Sequence, residues 1–342
     1  MSMRVLGVSS LRDEGPNLLH WLAHHKAAGI GDWLLYTNDC ADGTDRLLDL
    51  LAAAGEVVHV PNEVPRGQAP QWSALKAAAA HPMMSDADWV LVFDCDEYVN
   101  LRASLASVQD LIAHSGADAI VLPWRLFGHA GHATRPDVAP TKAFTRAIPE
   151  DALYPALARF FKTLYRREAF RAPGVHRPKP RGSVLPKWVD GSGTRLPDSF
   201  AEGGQIMVWG APLANGLVQL NHYSVRSAEE FVAKRARGLP NHTDKAVDLN
   251  YWVERNFNSV EDRSVSWMAE RTAVELARLR ALPGVAKVEA ESLAWHRRAF
   301  QDALMEADTV KLYGRLLLAA GSHAPDARTA QVLVRLNARS KH

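Results

Sequence analysis

Apolar residues along the chain gather in short unbroken runs set between stretches of helical spacing. The clearest run is residues 89–93, Trp-Val-Leu-Val-Phe, which passes without polar alternation into Asp94-Cys95-Asp96-Glu97. Such a run predicts a strand covered on both faces, as in the middle of a parallel α/β sheet. The first sixty residues carry the same rhythm. Residues 4–9 read as a strand, and Asp13-Glu14-Gly15-Pro16 opens a helix with Leu18, Leu19 and Leu22 on one face, ending near Gly29. Residues 32–37 are a second strand, and a polar turn over 38–44 leads into a helix bearing Leu47, Leu48 and Leu51. Gly55 ends that helix and residues 56–60 form a third strand, closed by Pro61. This β-α-β-α-β order predicts parallel pairing with right-handed crossovers.

Further along, a helix is expected over 71–80, another over 104–114 with Leu105, Val108 and Ile112 inward, and a strand over 119–122. From 123 to about 221 the pattern loosens into strand-like pieces (159–165, 205–209, 217–220) between loops rich in Pro, Gly, Arg and Lys. After His222 it turns helical: 228–238, 244–256 and 264–282, then a break at Pro283-Gly284 and two more helices. The expected division is 1–225, with halves 1–122 and 123–225, followed by a helical region over 226–342. There is neither an internal repeat nor a low-complexity segment.

Composition narrows the function. A formal charge of +2 leaves no basic excess for a phosphate backbone, so nucleic acid is not expected as a partner. Cys40 and Cys95 form no CxxC pair, which argues against a disulfide framework or structural zinc and fits a reducing, cytoplasmic setting. The N-terminus has no signal-peptide pattern, and no apolar run nears the ~20 residues of a membrane span. No Gly-x-Gly-x-x-Gly follows the first strand, which weighs against a dinucleotide cofactor. The adjacent His24 and His25 point different ways on a helix and read as surface or partly packed residues, not a metal pair.

Three groups of residues carry candidate chemistry. Open α/β sheets bind ligands beyond the carboxyl ends of their strands, where Asp94 and Asp96 would emerge. Residues i and i+2 of an extended chain face the same side, so the two carboxylates would suit Mg²⁺ or Mn²⁺. An acidic turn after a strand is the plainer alternative. The second group is the turn after strand two, where Asn38 or Asp39 would meet a base or ribose; Asp42 or Thr44 as a helix cap is the competing role. The third comprises Lys162, Arg166, His176, Arg177, Lys179, Lys234 and Arg237, a cation clamp for a diphosphate or, singly, surface charges. His222, ending an apolar strand in Asn221-His222-Tyr223, would complete a metal shell as a neutral imidazole.

With these residues in view, the chain resembles the family-2-like glycosyltransferases of the GT-A fold. The resemblance rests on Asp13-Glu14-Gly15-Pro16, Asn38-Asp39-Cys40-Ala41-Asp42-Gly43-Thr44, Gln71, Ala74-Leu75-Lys76 and Asp94-Cys95-Asp96-Glu97. It continues through Phe127-Gly128, Phe161-Lys162-Thr163-Leu164, Gly174-Val175-His176-Arg177-Pro178 and Asn221-His222-Tyr223. Glu230-Phe231, Lys234, Arg237-Gly238, Asn241-His242, Tyr251-Trp252 and Glu261-Asp262 complete it, so it spans residues 4–265, and the remainder matches nothing.

The resemblance implies a Rossmann-like, mostly parallel sheet flanked by helices, with a C-terminal helical extension. It implies an inverting, metal-dependent hexosyltransferase using a UDP- or GDP-sugar, with a glycan, lipid or protein hydroxyl as unknown acceptor. Asp96 would bind Mn²⁺ or Mg²⁺, and Asp94 the metal or the ribose. Asp13, Asn38 and Asp39 match positions that hold the nucleotide, with Glu14, Gln71, Lys162, Arg177, Lys234 and Arg237 as further donor contacts. His222, or in its place His242, would complete the metal site. The base is open among Asp190, Asp198 and Glu202, with Asp137 and Asp244 behind them. Two rivals remain: a non-catalytic nucleotide-sugar-binding protein of this fold, and an Asp-nucleophile phosphatase. The phosphatase pattern wants a small residue four positions after its first Asp, where this chain has Tyr98.

Overall fold

The computed structural model describes residues 3–340 apart from 103, 183, 209–213 and 238–246. Strands β1 (Val5–Leu11), β2 (Asp32–Thr37), β3 (Val58–Pro61) and β4 (Trp89–Val92) pair in parallel in the order β3-β2-β1-β4. Helices α1 (Gly15–Ala27), α2 (Thr44–Ala53), α3 (Pro70–Ala80) and the short α4 (Pro82–Asp86) connect them. Every residue of β4 is buried, as its unbroken apolar run requires.

Beyond β4 the sheet continues with strands of both directions. After the acidic turn comes β5 (Glu97–Leu101), a strand that the sequence reading does not contain, and then α5 (Val108–Ser115) and β6 (Ala119–Leu126). Ser107 caps α5 by accepting from Asp110 N, which starts the helix later than its apolar spacing suggests. β6 runs well past residue 122, through Pro123, a residue that ordinarily argues against a strand interior. Two small elements follow, α6 (Pro140–Ala143) and β7 (Arg146–Ala147), before β8 (Phe161–Arg166). β8 lies antiparallel between β4 and β6. The hairpin pieces β9 (Phe170–Ala172) and β10 (Lys179–Pro180), then β11 (Trp188–Val189) and α7 (Asp198–Glu202), lead to β12 (Val218–His222). β12 is parallel to β6 and antiparallel to β5, which closes the order as β4-β8-β6-β12-β5. The fold is therefore the expected α/β one, a large mostly parallel sheet flanked by helices. The carboxyl ends of β1, β4, β6 and β12 share one edge.

The C-terminal part holds α8 (Ala228–Arg237), α9 (Leu249–Val253), β13 (Val260–Glu261), α10 (Ala269–Arg280), α11 (Val285–Ala303), α12 (Ala307–Leu318) and α13 (Ala327–Arg339). Three helices, not two, follow Pro283-Gly284. They do not trail away from the sheet: α10 packs along α1, and α11 packs on α1, α2 and α8. No helix among the described residues is long and apolar enough to cross a membrane.

Apolar clusters fill both faces of the sheet. His24 and His25 lie inside one of them, 1% and 0% exposed, so the surface or partly packed position expected from sequence is replaced by full burial. They are tolerated there because they are neutral and hydrogen-bonded. Val99 N donates to His25 Nε2 at 3.0 Å, which leaves His25 Nδ1 to donate to Trp21 O at 2.7 Å. His24 Nε2 donates to Val99 O at 2.7 Å. Burial holds His24 down at about 4 and His25 well below the ordinary imidazole value.

Candidate active site

The acidic turn sits where β4 leaves the sheet. Asp94 is fixed from three sides: Gln71 Nε2 donates to Oδ1 at 2.8 Å, Lys162 Nζ to Oδ2 at 3.1 Å, and its own N–H donates to Glu97 Oε2 at 2.9 Å. Lys162 reaches it because β8 runs antiparallel beside β4. Its ammonium is fully buried, donates also to Val175 O at 3.0 Å and lies 3.7 Å from Glu97 Oε2. Burial disfavours that charge, but Asp94 and Glu97 outweigh it and hold the Lys162 pKa above its ordinary value. Glu97 is pushed the other way: burial, with Lys162 opposing, raises its carboxyl well above the usual range.

Asp96 faces a different pair. Lys234 Nζ donates to Oδ2 at 3.0 Å, and His222 Nε2 lies 3.5 Å from Oδ1. Burial raises the Asp96 pKa, yet Lys234, His222 and Arg226 more than offset it, so the carboxylate stays ionised. Burial lowers the His222 pKa, with Asp96 opposing. His222 Nδ1 is buried without a partner, and its ring packs 4.2 Å from that of Trp124. Residues 95 and 96 form a turn, with Cys95 buried in the core cluster, so the two carboxylates are shared between two lysines instead of lying side by side along a strand. Among the described residues no three His, Cys, Asp or Glu side chains converge as a ready-made metal cage. A divalent ion nonetheless fits the Asp96 and His222 pair, an ionised oxygen and a neutral nitrogen, because Mg²⁺-like ions commonly take few protein ligands and keep water and phosphate oxygens.

The turn after β2 lies at the same edge. Asp13 and Asp39 both adopt left-handed backbone, φ 49° and 48°. Asp13 Oδ1 accepts from Ala41 N at 2.7 Å and Asp42 N at 3.2 Å. Asn38 Nδ2 donates to Asp39 Oδ2 at 3.0 Å, and Asn38 Oδ1 is buried without a partner. The N-cap of α2 is Gly43, without a side-chain cap, so neither Asp42 nor Thr44 caps the helix; Asp42 instead accepts from Thr44 N at 2.8 Å and Thr44 Oγ1 at 2.6 Å.

Residues 8–181 match glycosyltransferase family 92. The chain belongs to this family. The sequence resemblance points to family-2-like enzymes, whereas the matching family is 92; what the two share is glycosyl transfer, and the protein is a glycosyltransferase. The fold is also similar to S. aureus TarS 1-349 in complex with UDP-GlcNAc, at 12% identity and TM-score 0.37 over 99% of this chain and 93% of that chain. A second similar structure is a mannosyltransferase from Pyrobaculum calidifontis in complex with GDP-Man and Mn²⁺, at 14% identity and TM-score 0.34, covering 94% of this chain and 86% of that one. Against a longer TarS chain the figures are 15% and 0.31, covering 49% of this chain and 29% of that chain. No curated protein sequence matches the chain.

In this family 92 chain the edge of the sheet brings together Asp94, Asp96, Gln71, Lys162, His222 and Lys234 from the sequence reading. Arg177 is placed elsewhere: its guanidinium stacks over Trp188 at 4.1 Å and Phe200 at 4.7 Å and donates to the carbonyls of Phe200 and Ala201. Asp190 accepts from the backbone of Ser192 and Thr194, Asp198 pairs with Arg195, and Glu202 ends α7 exposed to solvent. Asp137 sits on the surface opposite Arg297. The side chain of Arg237, and His242 and Asp244 altogether, lie outside the described residues. Sequence reasoning missed Arg226, buried at φ 52°, which reaches Cys95 O at 3.3 Å and Glu14 Oε2 at 3.5 Å. It missed His296 and Ser292 on α11 as well, which meet Asp42. Nothing local in the sequence marks either group, since each acts across more than 130 positions.

Proposed function

We propose that this glycosyltransferase takes its sugar from a UDP- or GDP-linked donor and passes it to a hydroxyl with inversion, aided by Mn²⁺ or Mg²⁺. The observation that carries this reading is the split acidic pair: Asp94 and Asp96 at one strand end, each already facing a lysine. A diphosphate arriving there meets two ammonium groups and Arg226 in a mostly buried setting, where charge stabilisation is strongest. Asp96 and His222 are the residues that would hold the metal, which would neutralise charge on the leaving diphosphate. Asp94, braced by Gln71 and Lys162, is available to a ribose hydroxyl. Asn38 and Asp39 face the base end, and the strained backbone of Asp13 and Asp39 fixes the turn that presents them. As a ligand, His222 would offer the unprotonated Nε2, the nitrogen that lies 3.5 Å from Asp96 Oδ1. Inversion would proceed by a single displacement at the anomeric carbon, with the acceptor proton leaving to a base that no single carboxylate here claims.

The test is calorimetry of UDP and GDP with and without Mn²⁺, followed by assay of free-sugar release from a panel of UDP- and GDP-sugars. Metal-dependent nucleotide binding and release of one sugar support the reading. Binding of neither nucleotide, with or without metal, would falsify it.

A further inference from the structure

Asp42 lies just before Gly43, the N-cap of α2. Its side chain is fully buried, and its two oxygens accept five hydrogen bonds from three separate parts of the chain. Thr44 supplies two of them to Oδ1; Oδ2 takes Gly15 N at 3.0 Å, Ser292 Oγ at 2.9 Å and His296 Nε2 at 2.9 Å. Burial raises the Asp42 pKa, but His296 and Thr44 outweigh it and keep the group an acceptor, so Nε2 is the nitrogen carrying the proton.

The carboxylate therefore ties together the loop entering α1, the turn after β2, and α11. That loop and turn contain Asp13 and Asp39, whose left-handed backbone persists only where the surroundings impose it. α11 does not need His296 in order to dock. Val285 and Val288 are buried in the core, Glu289 pairs with Arg280, and Glu291 with Arg46. His296 also lines the cleft bordered by Asp13, Glu14, Arg226 and Lys234, next to the acidic turn.

We propose that α11 is a working part of the donor site: Ser292 and His296, acting through Asp42, position the turn that meets the nucleotide. This rests on the donor reading above. Residues after about 265, which match nothing by sequence, thereby set donor affinity without touching the reacting atoms.

The experiment measures UDP and GDP affinity calorimetrically on the full chain, alongside initial rates. His296→Ala is expected to weaken nucleotide binding about tenfold, the size of one hydrogen bond to a charged group. It should raise the donor KM equally and leave kcat within about threefold. His296→Gln, whose amide N–H can reach the same oxygen, restores most of the affinity. Ser292→Ala, which adds no bulk, gives a smaller loss in the same direction and serves if His296→Ala does not fold. Unchanged affinity in both Ala variants, or equal losses for His296→Gln and His296→Ala, overturns the positioning role alone. A wild-type chain that binds neither nucleotide overturns the donor reading and this inference together.

Discussion

Lys234 holds Asp96 at 3.0 Å although 138 positions separate them. The lysine and a divalent ion would compete for the same oxygen. Lys234→Met should therefore tighten Mn²⁺ binding to the free protein several-fold, about the value of one partly exposed charge contact. It should also weaken donor binding, because the diphosphate loses a cation. Asp96→Asn should abolish metal binding and, by leaving the largely buried Lys234 without its carboxylate, lower the melting temperature. Metal titration of the two variants separates these outcomes, and unchanged Mn²⁺ affinity in Lys234→Met would count against competition.

Gly15 has no room for a side chain. A Cβ there would meet the Ser292 hydroxyl and, at 3.1 Å, Asp42 Oδ2. Gly15→Ala is expected to cost about 1–3 kcal/mol in urea unfolding, as overpacking usually does. Because the clash falls on Ser292, Gly15→Ala and Ser292→Gly should be non-additive, the pair costing less than the sum. A strictly additive cycle would mean that the strain lies elsewhere.

The buried imidazoles make the fold acid-sensitive. His24 titrates at about 4 in the folded chain and near 6.5 when unfolded. Between those values the unfolded chain binds a proton that the folded chain refuses, so stability is full above 6.5 and falls as pH drops towards 4. That shift corresponds to roughly 3 kcal/mol, and His25 adds in the same direction. The urea midpoint should fall between pH 7.5 and pH 5, and the fall should be shallower in His24→Gln. A midpoint flat over that range would contradict the neutral burial of these rings.

Arg177 separates a donor clamp from a structural brace. Its stack on Trp188 and Phe200 predicts that Arg177→Lys costs about 1–3 kcal/mol of stability and leaves the donor KM within twofold. A large rise in KM with unchanged stability would return it to the donor site.

The parts of the molecule legible in the sequence are those decided locally. Strands β1, β2 and β4 are almost wholly buried and show as mainly apolar runs, while β3 is a half-buried edge strand; the parallel rule then puts Asp94, Asp96 and the 38–44 turn at one edge. β5 was hidden because its first residue, Glu97, reads as the end of an acidic turn; a carboxyl can start a buried strand only because Lys162 meets it from 65 positions away. Residues 123–126 were hidden by Pro123. His24 and His25 look polar in sequence, and only Trp21 and Val99 reveal why they sit inside. Arg226, Ser292 and His296 depend on which helix face meets which loop, and tertiary packing alone decides that.

The bond between His296 and Asp42 closes a loop of 254 positions. At synthesis rates of about 5–20 residues per second, the turn waits roughly 13–50 s after Asp42 is made before its last donor exists. A chain cut short ahead of α11 would have the whole sheet and the acidic pair, yet would lack two of the five hydrogen bonds on Asp42. Such incomplete products would hold that turn by three bonds in place of five.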